Sequence, residues 1–320
     1  MGRNGQSLTL LCRPRRFVHM TRSSKAVTEA HQIISVPRLA FMKSYGRRPF
    51  IFSHEAHRLA EFSITSVTEL AARLAGPADS ARTARLLLSS EPLPPEPPCH
   101  PGFGELTARK SREPVRLVLK DIQGDQGFET TISAAFGRLD MLAAQCDRQF
   151  RVHRAHVFIS SAGFMTPLHT DDDQGFLLQL YGWKDVTFYV LGERYFSSAL
   201  ATRQAGGSEA LIVPDQFIKD RITFHIGPGD GVHIPWQWPH MVTVSGTGPS
   251  VSLNLNFESA RTAANALAAY TNDWLVRFGA RPYALGQHVH ADLMKRWIGG
   301  IASLFLPRSV TPSSGRAHRR

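Results

Sequence analysis

Between residues 156 and 257 the chain carries a series of short apolar runs punctuated by Gly, Pro and Asp. They are HVFISSA (156–162), FLLQLYG (176–182), DVTFYVL (185–191), RITFHIG (221–227), GVHIPW (231–236), HMVTVSG (240–246) and SVSLNLNF (250–257). Each is rich in β-branched or aromatic residues and too short for an ordinary helix, so each reads as a strand. Many short strands at close spacing predict an all-β sandwich or barrel.

The flanks read differently. Residues 35–52, SVPRLAFMKSYGRRPFIF, predict a short helix and then a strand at PFIF. SVTELAARLAG (66–76) predicts one helix with Ser66 as its N-cap, Glu69 completing a capping box and Gly76 stopping it. The Pro-rich stretch 91–104 predicts a loop or extended spacer. RLVLKDI (116–122) alternates like a strand, and 127–146 has apolar residues at helical spacing. Helical spacing returns over 261–279 and 290–305. The expected architecture is α+β: an N-terminal part over 29–150 packing on the barrel, a β-barrel core over 151–258, and a C-terminal helical pair over 259–307. Within that pair AANALAAY and WLVRF offer a surface for a homodimer. No apolar run approaches the ~18 residues of a membrane helix.

A net charge of +11 suggests nucleic acid until it is located. Residues 1–28 hold Arg3, Arg13, Arg15, Arg16, Arg22 and Lys25 and no acid, and 308–320 hold Arg308, Arg316, Arg319 and Arg320 and no acid. Ten of the 37 basic residues lie there, which leaves 27 against 26 acidic residues in 29–307. The body is near neutral, which disfavours a basic face for nucleic acid; a basic tail would add only salt-sensitive affinity. The first segment, 1–28, mimics a transit peptide but reads as a disordered leader, with Met20 an alternative start. The second, 308–320, reads as a basic tail. Cys12, Cys99 and Cys146 share no short spacing, which argues against a disulfide framework or zinc-cysteine site and fits a reducing, cytoplasmic setting.

The chemistry-bearing residues sit in TPLHTDDDQGF and VHIPWQWPHMV. If HTD is extended, His169 and Asp171 share one face and Thr170 turns away. Asp173 shares that face and Asp172 does not, so the three aspartates leave a choice in which Asp171 makes the shortest pair. His240, after PWQWP, is the third candidate. Two imidazoles and a carboxylate are the ligand set that leaves positions open on a non-haem iron. The chain has 14 histidines, so HxD alone is a weak signal; His240 could simply pack beside Trp236 and Trp238. His225 and His233 read as strand residues facing core or solvent, and His153 and His156 in RVHRAHV read the same way.

The joint context is more specific. FISSAGFMTPLHTDDDQGFLLQLYGWKDVTFYVL, followed by FHIGPGDGVHIPWQWPHMVTV and SVSLNLNF, resembles the cupin-like branch of the JmjC oxygenases, which includes an asparaginyl hydroxylase. The resemblance is specific over about 155–258, and FMKSYGRRPFIF resembles the family's opening segment. It implies a double-stranded β-helix, the jelly-roll form of barrel, and Fe(II) held by His169, Asp171 and His240. It implies 2-oxoglutarate as cosubstrate, its far carboxylate held by Lys184, fifteen residues after His169, and by Thr166, three residues before it. Asn256, at the end of the last barrel strand, is the further candidate for the cosubstrate. On the residues alone Lys184 could be a turn-exposed ammonium after Gly182, Thr166 ordinary turn chemistry before Pro167, and Asn256 a strand terminator. Asp173 and Gly175 stand where family members often carry substrate-touching side chains, and 190–217 is long and irregular, so the substrate class does not carry over.

The implied reaction is hydroxylation of a C–H bond in a protein, peptide or small molecule, with N-demethylation the related outcome. Two other readings stand beside it: a non-catalytic cupin-like binding or assembly module with a degenerate or structural metal site, and an RNA-modifying oxygenase.

Overall fold

A computed structural model describes residues 33–74, 84–88, 114–144, 146–147, 150–171, 173–191, 215–283, 285 and 288–305. The leader 1–28, the Pro-rich stretch 91–104, most of 190–217, the tail 308–320, Gly76 and Asp172 lie outside the described residues.

The strands are β1 (Ile34–Ser35), β2 (Phe50–His54), β3 (Ala84–Leu88), β4 (Val115–Leu119), β5 (Phe150–Ser160), β6 (Met165–His169), β7 (Gln174–Tyr181), β8 (Lys184–Leu191), β9 (Ile218–Ile226), β10 (Asp230–Ile234), β11 (His240–Val244) and β12 (Ser250–Ser259). The helices are α1 (Arg38–Ser44), α2 (Ile64–Leu74), α3 (Glu129–Ala143), α4 (Ala260–Arg277) and α5 (Val289–Phe305). Among the described residues the strands form two sheets, ordered β1-β2-β10-β7-β12-β5-β4-β3 and β6-β11-β8-β9, with every pairing antiparallel. From β5 onward the chain alternates between the sheets except at β8 and β9, which are consecutive neighbours in the smaller one, so both sheets deliver side chains into the space between them. The N-terminal strands extend the larger sheet at both edges.

Alternation along β12 shows how the layers are made. Val251, Leu253, Leu255 and Phe257 join Phe41, Leu70, Ile132 and Leu139 in one apolar cluster, so this face of the large sheet packs under α1–α3. The intervening Ser250, Ser252, Asn254 and Asn256 turn toward the small sheet. There a second cluster of Leu177, Val186, Phe188, Ile226, Val232, Ile234 and Val242 closes part of the interior. Burial of each such side chain contributes roughly 1.5–3 kcal/mol, which fixes strand register because a one-residue slip exchanges the faces.

The outer cluster also holds a histidine. His233 is fully buried in β10, stacked on Phe176 at 4.6 Å, with Nδ1 donating to the Gly175 carbonyl at 3.0 Å and Nε2 accepting from the Gly46 N–H at 3.2 Å. It ties the segment after α1 to β7. His225 lies on the opposite, solvent side, paired with Asp185 at 2.6 Å.

Two sequence expectations shift. The helix expected over 66–76 begins at Ile64, because Ser63 and not Ser66 caps it: Ser63 Oγ accepts the Ser66 N–H at 3.2 Å. Pattern alone could not choose between two serines three apart. MTPLH, which contains a proline and little apolar character, forms β6 at the edge of the small sheet, where a missing N–H is tolerated. After β12, Ser259 and Thr262 cap α4 reciprocally through each other's backbone N–H. No helix among the described residues is long and apolar enough to cross a membrane.

Candidate metal centre and the buried cations beside it

His169 is the last residue of β6 and His240 the first of β11, and the two are direct partners across the ladder. Their rings lie 4.3 Å apart. Asp171 follows β6 by two residues. One side-chain donor atom from each of the three lies within 4.8 Å of the others. Asp171 Oδ1 is 3.6 Å from His169 Nε2, and Oδ2 is 3.7 Å from His240 Nε2.

The backbone decides which nitrogen of each ring faces inward. His169 Nδ1 is 2.8 Å from the Pro167 carbonyl, and His240 Nδ1 is 2.9 Å from the Trp238 carbonyl. A carbonyl oxygen can only accept, so both Nδ1 atoms carry a proton, and each ring in its neutral form presents the Nε2 lone pair. Burial, reinforced by His169, lowers the His240 pKa to about 4 and keeps that ring neutral, although Asp171 pulls the other way. Two lone pairs and a carboxylate therefore converge with no hydrogen between them. That arrangement is repulsive until a cation enters. Metal–nitrogen and metal–oxygen bonds of about 2.1 Å reach across both Asp–His separations, so the three residues fit a metal ion.

The turn between β10 and β11 holds this geometry. Gln237 sits there at φ +57°, a left-handed conformation that costs a non-glycine residue on the order of 1 kcal/mol. Its N–H donates to the Asp171 carbonyl at 3.1 Å and ties the turn to the HTD segment. Asp173 is engaged elsewhere, 3.7 Å from Arg154.

Farther along the interior lie two buried cations. Lys184 opens β8 after the tight turn at Gly182, whose φ of +68° and approach to the Pro249 carbonyl exclude a side chain. Its side chain is 1% exposed, so it is not a turn-exposed ammonium. Nζ donates to Ser252 Oγ and lies 5.9 Å from the Phe158 ring centre. Desolvation, with Arg116 adding to it, pushes its pKa well below the usual lysine range. Arg116, in β4, was not singled out by the sequence. It is buried, with Nε donating to Ser160 Oγ at 2.9 Å and Nη1 to Thr166 Oγ1 at 2.6 Å. Its guanidinium lies 4.3 Å from the Phe164 ring centre and 5.2 Å from that of Phe158, and desolvation lowers its pKa to about 9. Its only sequence signal is an arginine inside the apolar run VRLVL.

Thr166 thus lies within β6 and touches Arg116. Asn256 lies inside β12, opposite Gly175 and Arg154 in the two flanking strands. Its Oδ1 and that of Asn254 are buried without a partner among the described residues, and both crowd the face of Gly175, 3.5 and 3.3 Å from where a Cβ would stand. His156 faces the interior from β5; Nδ1 accepts the Asp121 N–H at 3.1 Å, and burial lowers its pKa to about 4. The side chain of His153 is outside the described residues.

No protein-family model and no curated protein matches the chain. Solved structures of an Escherichia coli protein are similar to it. An X-ray structure of E. coli ycfD shares 15% identity over 87% of this chain and 70% of that chain, with a TM-score of 0.46. A crystal structure of Escherichia coli ribosomal oxygenase YcfD shares 15% identity over 87% and 69%, with a TM-score of 0.45. A structure of YcfD in complex with cobalt and 2-oxoglutarate shares 15% identity over 86% and 69%, with a TM-score of 0.45.

Proposed function

We propose that this protein is an Fe(II)- and 2-oxoglutarate-dependent dioxygenase that hydroxylates a C–H bond of a protein, peptide or small-molecule substrate. The observation that carries the reading is the all-acceptor triad: His169 Nε2, His240 Nε2 and the Asp171 carboxylate converge with both imidazole protons turned away onto backbone carbonyls. That set holds a divalent cation on one face and leaves its other positions for ligands. With cosubstrate and dioxygen bound, the iron supplies an oxidant able to remove hydrogen from carbon and return hydroxyl.

The remaining residues bind and orient. Lys184 is a cation buried without a carboxylate partner among the described residues, which is costly unless a ligand brings the anion. It holds the far carboxylate of 2-oxoglutarate, and the Thr166 hydroxyl donates to it. Asn256, with an unpartnered amide oxygen in the same interior, lines the cosubstrate's path between that carboxylate and the metal. Phe158, Phe188 and Val242 exclude water.

The order of strands supports a double-stranded β-helix core over 151–258: β5, β12, β7 and β10 face β6, β11, β8 and β9, which is jelly-roll connectivity. We divide the chain around it into the basic leader 1–28, the N-terminal part 29–150, the C-terminal helices 259–307 and the basic tail 308–320. Helix α5 exposes Leu293, Met294, Trp297, Ile298 and Ile301 on one stripe, and this supports a homodimer formed through the C-terminal helices. A near-neutral body and unpaired cysteine spacing support a cytoplasmic protein that does not act on nucleic acid.

The test is anaerobic titration of purified protein with Fe(II) and then 2-oxoglutarate. A weak visible charge-transfer band appears in the wild type and is absent in His169→Ala. Iron binding without the band in the wild type overturns the reading.

A further inference from the structure

The interior end of the barrel holds Arg116 and Lys184 around one aromatic ring, and the reading above assigns a ligand to only one of them. Their hydrogen bonds define what the pair requires. Neither a guanidinium nor an ammonium can accept a hydrogen bond. Arg116 Nε donates to Ser160 Oγ at 2.9 Å, Arg116 Nη1 to Thr166 Oγ1 at 2.6 Å, and Lys184 Nζ to Ser252 Oγ. Each of the three hydroxyls therefore uses a lone pair on a cation and keeps its own O–H to give. Arg116 has two N–H groups engaged this way and the rest of its fork without a partner among the described residues. The walls between are the rings of Phe158 and Phe164, which favour cations over their faces but accept no strong hydrogen bond. Arg116, Lys184 and the Ser160, Thr166 and Ser252 hydroxyls can therefore each still donate to a ligand.

Position links the two cations to the metal centre. Thr166 stands three residues before His169 on β6, about 10 Å along the strand. The same hydroxyl that the far carboxylate needs is already held by Arg116. Fixing the Thr166 oxygen as acceptor toward Arg116 turns its hydrogen away from the guanidinium and leaves it free to donate.

We propose that Arg116 is a second cationic anchor of the cosubstrate pocket, so that the far carboxylate is held jointly by the Arg116 fork, Lys184 and the Thr166 hydroxyl. The inference rests on the 2-oxoglutarate reading and names a residue and a selectivity that it did not contain. Two cations on one carboxylate make the pocket strongly discriminating for a second negative charge on the ligand. A planar fork held at two points also makes Arg116 less replaceable by lysine than a lone ammonium would be.

The test measures binding and not turnover. Full-length protein is loaded with Mn(II), and calorimetry gives Kd for two ligands: N-oxalylglycine, an inert dicarboxylate, and 2-oxopentanoate, which has a methyl group where 2-oxoglutarate has its far carboxylate. The readout is the ratio of the two dissociation constants in wild type, Arg116→Met and Arg116→Lys. We expect Arg116→Met to lower the preference for the dicarboxylate by about tenfold or more while leaving 2-oxopentanoate binding within twofold. Arg116→Lys recovers only part of the preference. An unchanged ratio in Arg116→Met with wild-type dicarboxylate binding intact overturns the inference and leaves the oxygenase reading standing. Equal weakening of both ligands also overturns it, because the role is then structural. A wild type that binds neither ligand overturns the oxygenase reading, and the inference with it.

Discussion

His169 and His240 face each other across β6 and β11, and each donates its Nδ1–H to the carbonyl two residues before it in the chain, Pro167 and Trp238. The same local device on two strands turns both Nε2 lone pairs onto Asp171. Proline helps on one side: Pro167 fixes the backbone whose carbonyl orients His169. In β11 the bulge between His240 and Val242 lets a strand-end residue point inward at the ladder's end.

Asp171→Asn tests whether the triad is held in tension by its own acceptors. An amide can donate to a facing Nε2, so the metal-free variant should be as stable as wild type or more stable by about 1 kcal/mol. The same variant should lose the rise in melting temperature that wild type shows with Fe(II) or Mn(II). Thermal unfolding with and without metal measures both. A variant destabilised without metal, or stabilised by metal as wild type is, contradicts the arrangement.

Lys184→Met applies the same logic to the buried cation. The ammonium is desolvated and has only a serine hydroxyl as its hydrogen-bond partner among the described residues, so an apolar chain of similar volume should fit at no loss. The expected outcome is unchanged or higher stability without ligand, by up to about 2 kcal/mol, together with loss of dicarboxylate binding. Urea unfolding paired with calorimetry checks it. Marked destabilisation would mean that Lys184 serves the fold.

His233 predicts an acid limb in stability. Burial pushes its folded pKa from the ordinary 6.5 down to about 3, so the folded state refuses a proton that the unfolded chain takes up. Its contribution is whole above pH 6.5 and is lost as pH falls from there toward about 3. The slope approaches about 1.4 kcal/mol per pH unit for one proton. His54, lowered to about 4 by burial, adds a parallel limb. In His233→Gln the fall in unfolding free energy between pH 6.5 and 4.5 should be shallower than in wild type. An identical slope contradicts the assignment of a buried neutral imidazole.

Much of this is legible in the sequence. Alternating and apolar runs gave most strands of the larger sheet, and helical spacing located α1, α3, α4 and α5. The resemblance marked His169, Asp171 and His240 as candidates, and the fold brings these three together. Arg116 escaped because an arginine at every second position of a strand ordinarily faces solvent. Its burial is decided by β5 and β6, which close over it from more than forty residues downstream. β6 escaped because MTPLH looks like a turn; only its pairing with β11 makes it a strand. Lys184 lay between two readings, anchor and surface turn, and burial excludes the second.

The exposed stripe of α5 predicts a dimer that one charge can break. Trp297 is 74% exposed and should reach a second copy, so Trp297→Glu should leave the fold intact. Light scattering coupled to size exclusion should give a dimer for wild type and a monomer for the variant. A wild type that is monomeric at every concentration tested removes the dimer.

The most direct measurement of the central claim is succinate formation. Purified wild-type protein with Fe(II), 2-oxoglutarate and air, without added substrate, should convert 2-oxoglutarate to succinate slowly, and Asp171→Asn and His240→Ala should not. Wild-type protein that holds iron at His169, Asp171 and His240 and yet forms no succinate above the level of these variants would contradict the account.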